Sequence, residues 1–272
     1  KSVERVKDAD IVIFASGISP SLEGEEMGVN LPGFKKGDRT DIELPAVQRE
    51  LIDALHRAGK KIILVNCSGS PIGLEPETQK CEAILQAWYP GQQGGKAVAE
   101  VLFGDYNPAG KLPVTFYRNV SQLPDFEDYN MTGRTYRYMQ DVPLFPFGYG
   151  LSYTTFGYGK TVLDKNELTA GQSLKLTVPV TNTGKRNGEE VVQVYLRKQG
   201  DAEGPIKTLR AFKRVSIPAG KTVNVEFDLK DKELEWWDDQ SNTVRVCPGN
   251  YDIMVGGSSK EEDLQRTTIV IK

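Results

Sequence analysis

Residues 10–17 read DIVIFASG and residues 61–66 read KIILVN. Each is a short, nearly unbroken apolar run bounded by polar residues, the pattern of a strand buried on both faces of a parallel sheet. Between them Val47, Leu51 and Leu55 recur at helical spacing after Pro45 and stop at Gly59, so the spacing predicts a strand, a helix and a second strand. A breaker-rich segment, SGSPIGLEPET, then leads to a third apolar run, EAILQAW, at residues 82–88. A further helix is expected in GGKAVAEVLFG, with Ala97, Val98, Val101 and Leu102 on one face and Gly104 ending it. This order is an α/β signature.

Downstream the period changes. From about Tyr117 to Gly150 aromatics and prolines dominate without a sustained period, as in a connecting segment packed on something. Beyond it Leu174, Leu176, Val178 and Val180 alternate with polar residues, as do Val192, Val194 and Leu196, and Val223, Val225, Phe227 and Leu229. Alternation with period two predicts antiparallel strands with one buried face. Turn signals between them, NTGKRNGEE, IPAGKT and CPGNY, fit a sandwich of about seven strands. The expected organisation is an α/β domain over 1–118 with a mainly parallel sheet, a connecting segment over 119–152 and an all-β sandwich over 153–272.

The chain of 272 residues is long enough for two such domains. It has 34 basic and 37 acidic residues, a formal charge of -3, and so lacks the positive field that drives nucleic-acid binding. It has no apolar run of the roughly 20 residues that a membrane span needs. The expected partner is a neutral substrate or another protein, with no nucleic acid and no membrane. Cys67, Cys81 and Cys247 are too few and too scattered for a disulfide framework or a zinc site and read as buried thiols; no metal and no cofactor are expected. The single histidine, His56, lies among helix formers, which disfavours any mechanism that relies on a histidine base. No signal peptide is visible, and KSVERVKDADIVIF reads as a helix end running into a strand, so the true N-terminus is expected elsewhere.

In open α/β sheets ligands bind outside the carboxyl ends of the strands, which directs attention to the loop after Gly17. That loop holds Glu23, Glu25 and Glu26, followed by Asp38 and Arg39. The plain reading is a solvated polar loop. The sharper one is that one carboxyl is a general acid, since clustered like charges and exclusion of water both favour the protonated form. Trp236 and Trp237, in KELEWWDD, read either as a sugar-stacking platform or as a plug at the end of the sandwich.

The runs SPSLEGEEMGVNLPGFKKGDRTDIELPAVQ, ILQAWYPGQQGGKAVAEVLFGDYNPAGKLPVTFY and GRTYRYMQDVPLFPFGYGLSYTTF closely resemble the C-terminal half of glycoside hydrolase family three. The later segments VPVTNTGKRNGEEVVQVYL, LRAFKRVSIPAGKTVNVEFDL and PGNYDIMVGGSS resemble the fibronectin type III-like domain that ends many members. The resemblance implies a retaining, exo-acting β-glycosidase that removes sugars from non-reducing ends. It further implies a nucleophilic aspartate on a preceding (β/α)8 barrel, as a partner domain outside this chain, and an acid/base glutamate on the α/β domain. The family pattern E-x-E-G-x-D-R matches LEGEE at the front and Asp38-Arg39 at the back, with MGVNLPGFKKG intervening. Aligned from the front, Glu25 is the acid/base, with Glu23 and Glu26 as substitutes. The loop resembles β-xylosidases more than β-glucosidases, which points to xylo-oligosaccharides as substrate and β-glucosidase as the alternative. Members are often periplasmic or secreted. A reading of another class, a noncatalytic carbohydrate-binding or assembly module, is compatible with the sandwich.

Overall fold

The computed structural model describes residues 2–272 and divides into two compact units. Among the described residues the first comprises 2–103 with 116–129 and 143–145, and the second comprises 104–115, 130–142 and 146–272. Both classes expected from the sequence are present, an α/β unit and an all-β unit.

In the first unit a short helix α1 (Ser2–Arg5) precedes β1 (Ile11–Gly17). Three two-residue strands follow, β2 (Asn30–Leu31), β3 (Phe34–Lys35) and β4 (Asp38–Arg39), then α2 (Ala46–Arg57) and β5 (Lys61–Cys67). The rest of the unit holds α3 (Glu75–Thr78), β6 (Ala83–Gln86) and α4 (Gly94–Phe103). β1, β5 and β6 form a parallel sheet in the order β1-β5-β6, with Ile11 opposite Lys61 and Gly17 opposite Cys67. The core gathers Ile52 and Leu55 of α2, Ile62 and Leu64 of β5, Ile72 and Leu74, with Val12 and Phe14 of β1 packed against it.

One expectation is corrected here. β1 is not buried on both faces, because it lies at an edge of the sheet: Val12 and Phe14 face the core, while Ile11 and Ile13 are 52% and 51% exposed. α4 forms at the expected place and ends at Gly104 with φ 80°, but none of its residues is fully buried, and Ala97 is exposed.

The second unit contains the four-residue helix α5 (Thr135–Tyr138) and then β7 (Phe156–Tyr158), β8 (Val162–Leu163) and β9 (Glu167–Leu168). After them come the long strands β10 (Leu174–Asn182), β11 (Gly188–Lys198), β12 (Thr208–Ile217) and β13 (Thr222–Leu229). The chain finishes with α6 (Asp231–Leu234), a small hairpin of β14 (Trp236–Asp238) and β15 (Thr243–Arg245), then β16 (Gly249–Gly256) and β17 (Gln265–Ile271).

One sheet runs β13-β10-β7, with β8 also on β10, and the other runs β12-β11-β16-β17-β9. The short strands β7, β8 and β9 take the count beyond the seven expected, and β9 lies parallel to β17. β11 departs from one-face burial: besides Val192, Val194 and Leu196, its alternate residues Gln193 and Tyr195 are 3% and 0% exposed. They are covered by the aromatic segment before the sandwich. Tyr136 stacks on Phe147 at 4.3 Å and meets Tyr195 edge-on at 5.9 Å, while Gln193 Nε2 donates to the carbonyls of Gly148 and Gly257. A buried amide must be satisfied in this way.

Of the three cysteines only Cys247 is fully buried; Cys67 and Cys81 are half-buried, and all three are free thiols. Among the described residues no helix is long and apolar enough to cross a membrane, and no cluster of His, Cys, Asp and Glu could hold a metal ion.

Candidate active site

The carboxyl ends of the three parallel strands meet at one edge of the first unit. Gly17 terminates β1 at φ 128°, a conformation that favours glycine, and a Cβ there would lie 1.9 Å from the Cys67 carbonyl oxygen. Gln48, in the first turn of α2, closes on the same backbone. Its amide donates to the Gly17 carbonyl at 2.7 Å and accepts from the Gly17 N–H at 3.0 Å. The loop leaving this point therefore starts from a fixed position.

The segment MGVNLPGFKKG, which separates the glutamates from the Asp-Arg pair, forms with that pair a small antiparallel meander. Leu31 pairs with Phe34 around Pro32-Gly33, with Gly33 at φ 86°, and Lys35 pairs with Asp38 around Lys36-Gly37, at φ 54° and 88°. Proline followed by a glycine of positive φ, and two successive positive-φ residues, are the backbones that close two-residue turns. The meander folds back onto the acidic turn: Gly24 N–H donates to the Gly37 carbonyl at 3.1 Å and Met27 N–H to the Lys36 carbonyl at 2.7 Å. A Cβ on Gly37 would lie 1.9 Å from the Gly24 oxygen, so only glycine permits this approach.

The three glutamates have different surroundings. Glu23 is half-buried and accepts from Ser70 Oγ at 2.7 Å. Glu26 is exposed at φ 50° and forms an ion pair with Lys36 at 3.6 Å. Glu25 is exposed, and no hydrogen bond or ion pair engages its side chain among the described residues. Arg39 lies within the site and donates to Ser70 Oγ and the Pro71 carbonyl, both at 3.3 Å, and to the Glu43 carbonyl at 3.1 Å. Burial holds its pKa below the ordinary guanidinium value, opposed by the carboxylates of Glu23, Asp41 and Glu43. Asp38, the other half of the pair, is exposed on β4.

Behind Ser70 lies a polar network missed at the sequence level. Ser68 Oγ donates to the Ser70 carbonyl at 2.8 Å; Asn66 Nδ2 donates to Ser68 Oγ at 3.1 Å and to Gln86 Oε1 at 2.6 Å. Asn66 and Ser68 are fully buried. A signal for these residues existed: SGSPIG follows directly on β5, at the strand end where such sheets gather ligand-binding groups. His56 is exposed in the last turn of α2. In the other unit Trp236 is 3% exposed within the sandwich core, whereas Trp237 is 49% exposed.

Comparison with known proteins agrees with this architecture. The glycosyl hydrolase family 3 C-terminal domain matches residues 1–153, and a fibronectin type III-like domain matches residues 190–259. The chain belongs to glycosyl hydrolase family 3. It is 57% identical over 271 residues to a xylan 1,4-β-xylosidase of Xylanibacter ruminicola, covering 100% of this chain and 31% of that protein. It is 37% identical over 272 residues to a periplasmic β-glucosidase of Salmonella typhimurium, covering 95% of this chain and 34% of that protein. Among solved structures it resembles a β-glucosidase from Erythrobacter marinus, with a TM-score of 0.86 and 39% identity, covering 100% of this chain and 36% of that one. The chain thus spans about a third of the length of the curated relatives it matches.

Proposed function

We propose that this chain supplies the general acid/base of a retaining, exo-acting β-glycosidase, that Glu25 is that group, and that the substrate is a β-linked xylo-oligosaccharide cleaved from its non-reducing end. The observation that carries the reading is the contrast among the three glutamates. Glu23 is engaged by Ser70 and Glu26 by Lys36, while Glu25 presents an unengaged carboxyl on a turn braced by the meander. A proton donor must be free to meet the leaving oxygen of its substrate.

In a retaining mechanism two carboxyl groups stand about 5 to 5.5 Å apart. One attacks the anomeric carbon while the other gives its proton to the departing sugar oxygen. The second then takes a proton from water as that water breaks the glycosyl-enzyme bond. Here the nucleophile is an aspartate of a preceding barrel domain, which the chain's coverage of a third of its relatives supports. The xylosidase relative at 57% identity favours xylosides; the β-glucosidase relatives support glucosides as the second reading. The periplasmic relative supports a periplasmic or secreted location.

The test is Glu25→Ala in the full-length enzyme. Turnover of xylobiose should fall by about 10²- to 10⁴-fold, the usual worth of a positioned acid. Formation of the glycosyl-enzyme from an activated aryl xyloside should persist, and azide should restore turnover with release of a glycosyl azide. Unchanged xylobiose hydrolysis would exclude Glu25, and the same pattern in Glu23→Ala or Glu26→Ala would reassign the role. Parallel aryl glucosides decide between the two sugars.

A further inference from the structure

We infer that Glu23 is a positioning residue for Glu25, anchored by Ser70 and Arg39 so that it fixes where the turn bearing the acid stands. The inference rests on the reading of Glu25 as the acid/base and concerns how that group is held.

The direction of the hydrogen bonds carries it. A guanidinium has donors and no acceptor, so Ser70 Oγ must accept from Arg39 Nη1 at 3.3 Å. The hydroxyl has one proton, and that proton is directed at Glu23 Oε1, 2.7 Å away. At this oxygen Glu23 accepts, and its carboxyl is thereby tied to Ser70. Arg39 is itself tied to the carbonyls of Pro71 and Glu43, and the Ser70 carbonyl is tied to the buried Ser68. The anchor is therefore continuous with the end of β5.

Backbone geometry transmits the anchor to Glu25. Glu23 and Glu25 are separated by Gly24 alone, whose N–H is held by the Gly37 carbonyl at 3.1 Å, and a Cβ on Gly24 would lie 2.6 Å from Met27 Sδ. The turn is fixed at Glu23 by a side chain and at Gly24 and Met27 by main-chain bonds. Release of the first leaves the carboxyl of Glu25 to be positioned by the backbone bonds alone. A displacement of about 1 Å in a reacting group can cost 10²-fold in rate.

The experiment uses the full-length enzyme and the variants Glu23→Ala, Ser70→Ala and Ser70→Thr, with Glu25→Ala as reference. Glu23→Ala and Ser70→Ala are expected to lower kcat on xylobiose by about 10- to 100-fold, with KM little changed. Cleavage of an activated aryl xyloside, which needs little acid assistance, should fall much less. Ser70→Thr, which keeps the hydroxyl, should restore activity. A mere loss of folded enzyme would scale both substrates alike, so an unchanged ratio between them overturns the inference. Azide rescue of Glu23→Ala with release of xylosyl azide would overturn it too, by making Glu23 the acid. Hydrogen exchange in the peptide spanning residues 18–30 separates this inference from the reading beneath it. Exchange should rise in Glu23→Ala and Ser70→Ala and stay at the wild-type level in Glu25→Ala. If Glu25→Ala hydrolyses xylobiose normally, the acid/base reading falls while exchange still decides the anchoring; if exchange is unchanged in the first two variants, the anchoring falls whatever Glu25→Ala does. Where Glu23→Ala does not fold, Ser70→Ala carries the same comparisons.

Discussion

Arg49 grips Glu77 with two parallel hydrogen bonds, Nε to Oε1 at 2.8 Å and Nη2 to Oε2 at 3.0 Å, and the Glu77 side chain is fully buried. The same guanidinium reaches Glu43 Oε2 at 2.6 Å and the Gly73 carbonyl at 2.9 Å. One residue of α2 thereby ties down α3 and the segment entering α2. Arg49→Ala leaves a buried carboxylate uncompensated and is expected to destabilise the first unit by about 3–5 kcal/mol. Urea unfolding of the variant checks this, and a loss below about 1 kcal/mol would contradict it.

Gly37 makes a second prediction possible. Its φ of 88° and its contact with the Gly24 oxygen leave no room for a methyl group. Gly37→Ala should cost about 1–3 kcal/mol in backbone strain. It should also loosen the acidic turn, read as faster hydrogen exchange in residues 18–30, and, on the proposed role of Glu25, as slower turnover of xylobiose by the full-length enzyme.

Glu190 gives a pH dependence. Burial raises its pKa above the ordinary 4.5, opposed by Lys111 at 3.3 Å and by the Tyr158 hydroxyl, which donates to it at 2.9 Å. A carboxyl raised on folding binds its proton more tightly in the native state. Its contribution to stability is therefore complete below the ordinary value and is lost as pH rises through the raised one. Glu190→Gln should flatten the fall in unfolding free energy across that window, as measured by denaturant titrations at stepped pH. A slope equal to that of the wild type would refute the assignment.

Cys81 tests the environment at the end of α3. Burial, reinforced by the charge of Glu77, pushes its thiol up to about 11. Since the thiolate is the nucleophile, alkylation of Cys81 at pH 8 should run about 10²-fold slower in the native chain than in urea, as followed by peptide mass mapping. Equal rates would contradict it.

The two adjacent tryptophans should separate cleanly. Trp236 packs edge-on against Tyr251 at 6.1 Å, and its Nε1 donates to Asp201 at 2.7 Å. Trp236→Ala should cost about 3–5 kcal/mol, and Trp237→Ala, at an exposed position, no more than about 0.5 kcal/mol. Thermal unfolding of the two variants provides the comparison.

Periodicity made the large elements legible. The apolar runs at β1 and β5 and the Val47, Leu51, Leu55 spacing of α2 announce themselves, as does the alternation of β10 and β13. Edges and coverings were not legible, because a run such as IVIF does not say which neighbours lie beside it. Ile11 and Ile13 are therefore more exposed, and Gln193 and Tyr195 more buried, than their patterns suggest. The meander escaped notice because two-residue strands have no period, although Pro32-Gly33 and Lys36-Gly37 are its turn signals. The position of their loop at the carboxyl end of β1 singled out the three glutamates, and aligning the family pattern from the front put Glu25 first, with Glu23 and Glu26 as substitutes. The engagement of Glu23 and Glu26 depends on Ser70, far away in sequence, and on the reversal of the chain at Lys36.

The meander changes what kind of tether joins β1 to α2. A bare linker from Ile18 to Pro45 would explore a wide volume, and closing it would cost entropy that grows with the logarithm of its length. Here the bonds from Gly24 to Gly37, Met27 to Lys36 and Thr40 to Gly33 divide it into a ladder of small rings. Freedom along this stretch is given up once, when the chain folds, so that the carboxyls it carries are already confined before any encounter.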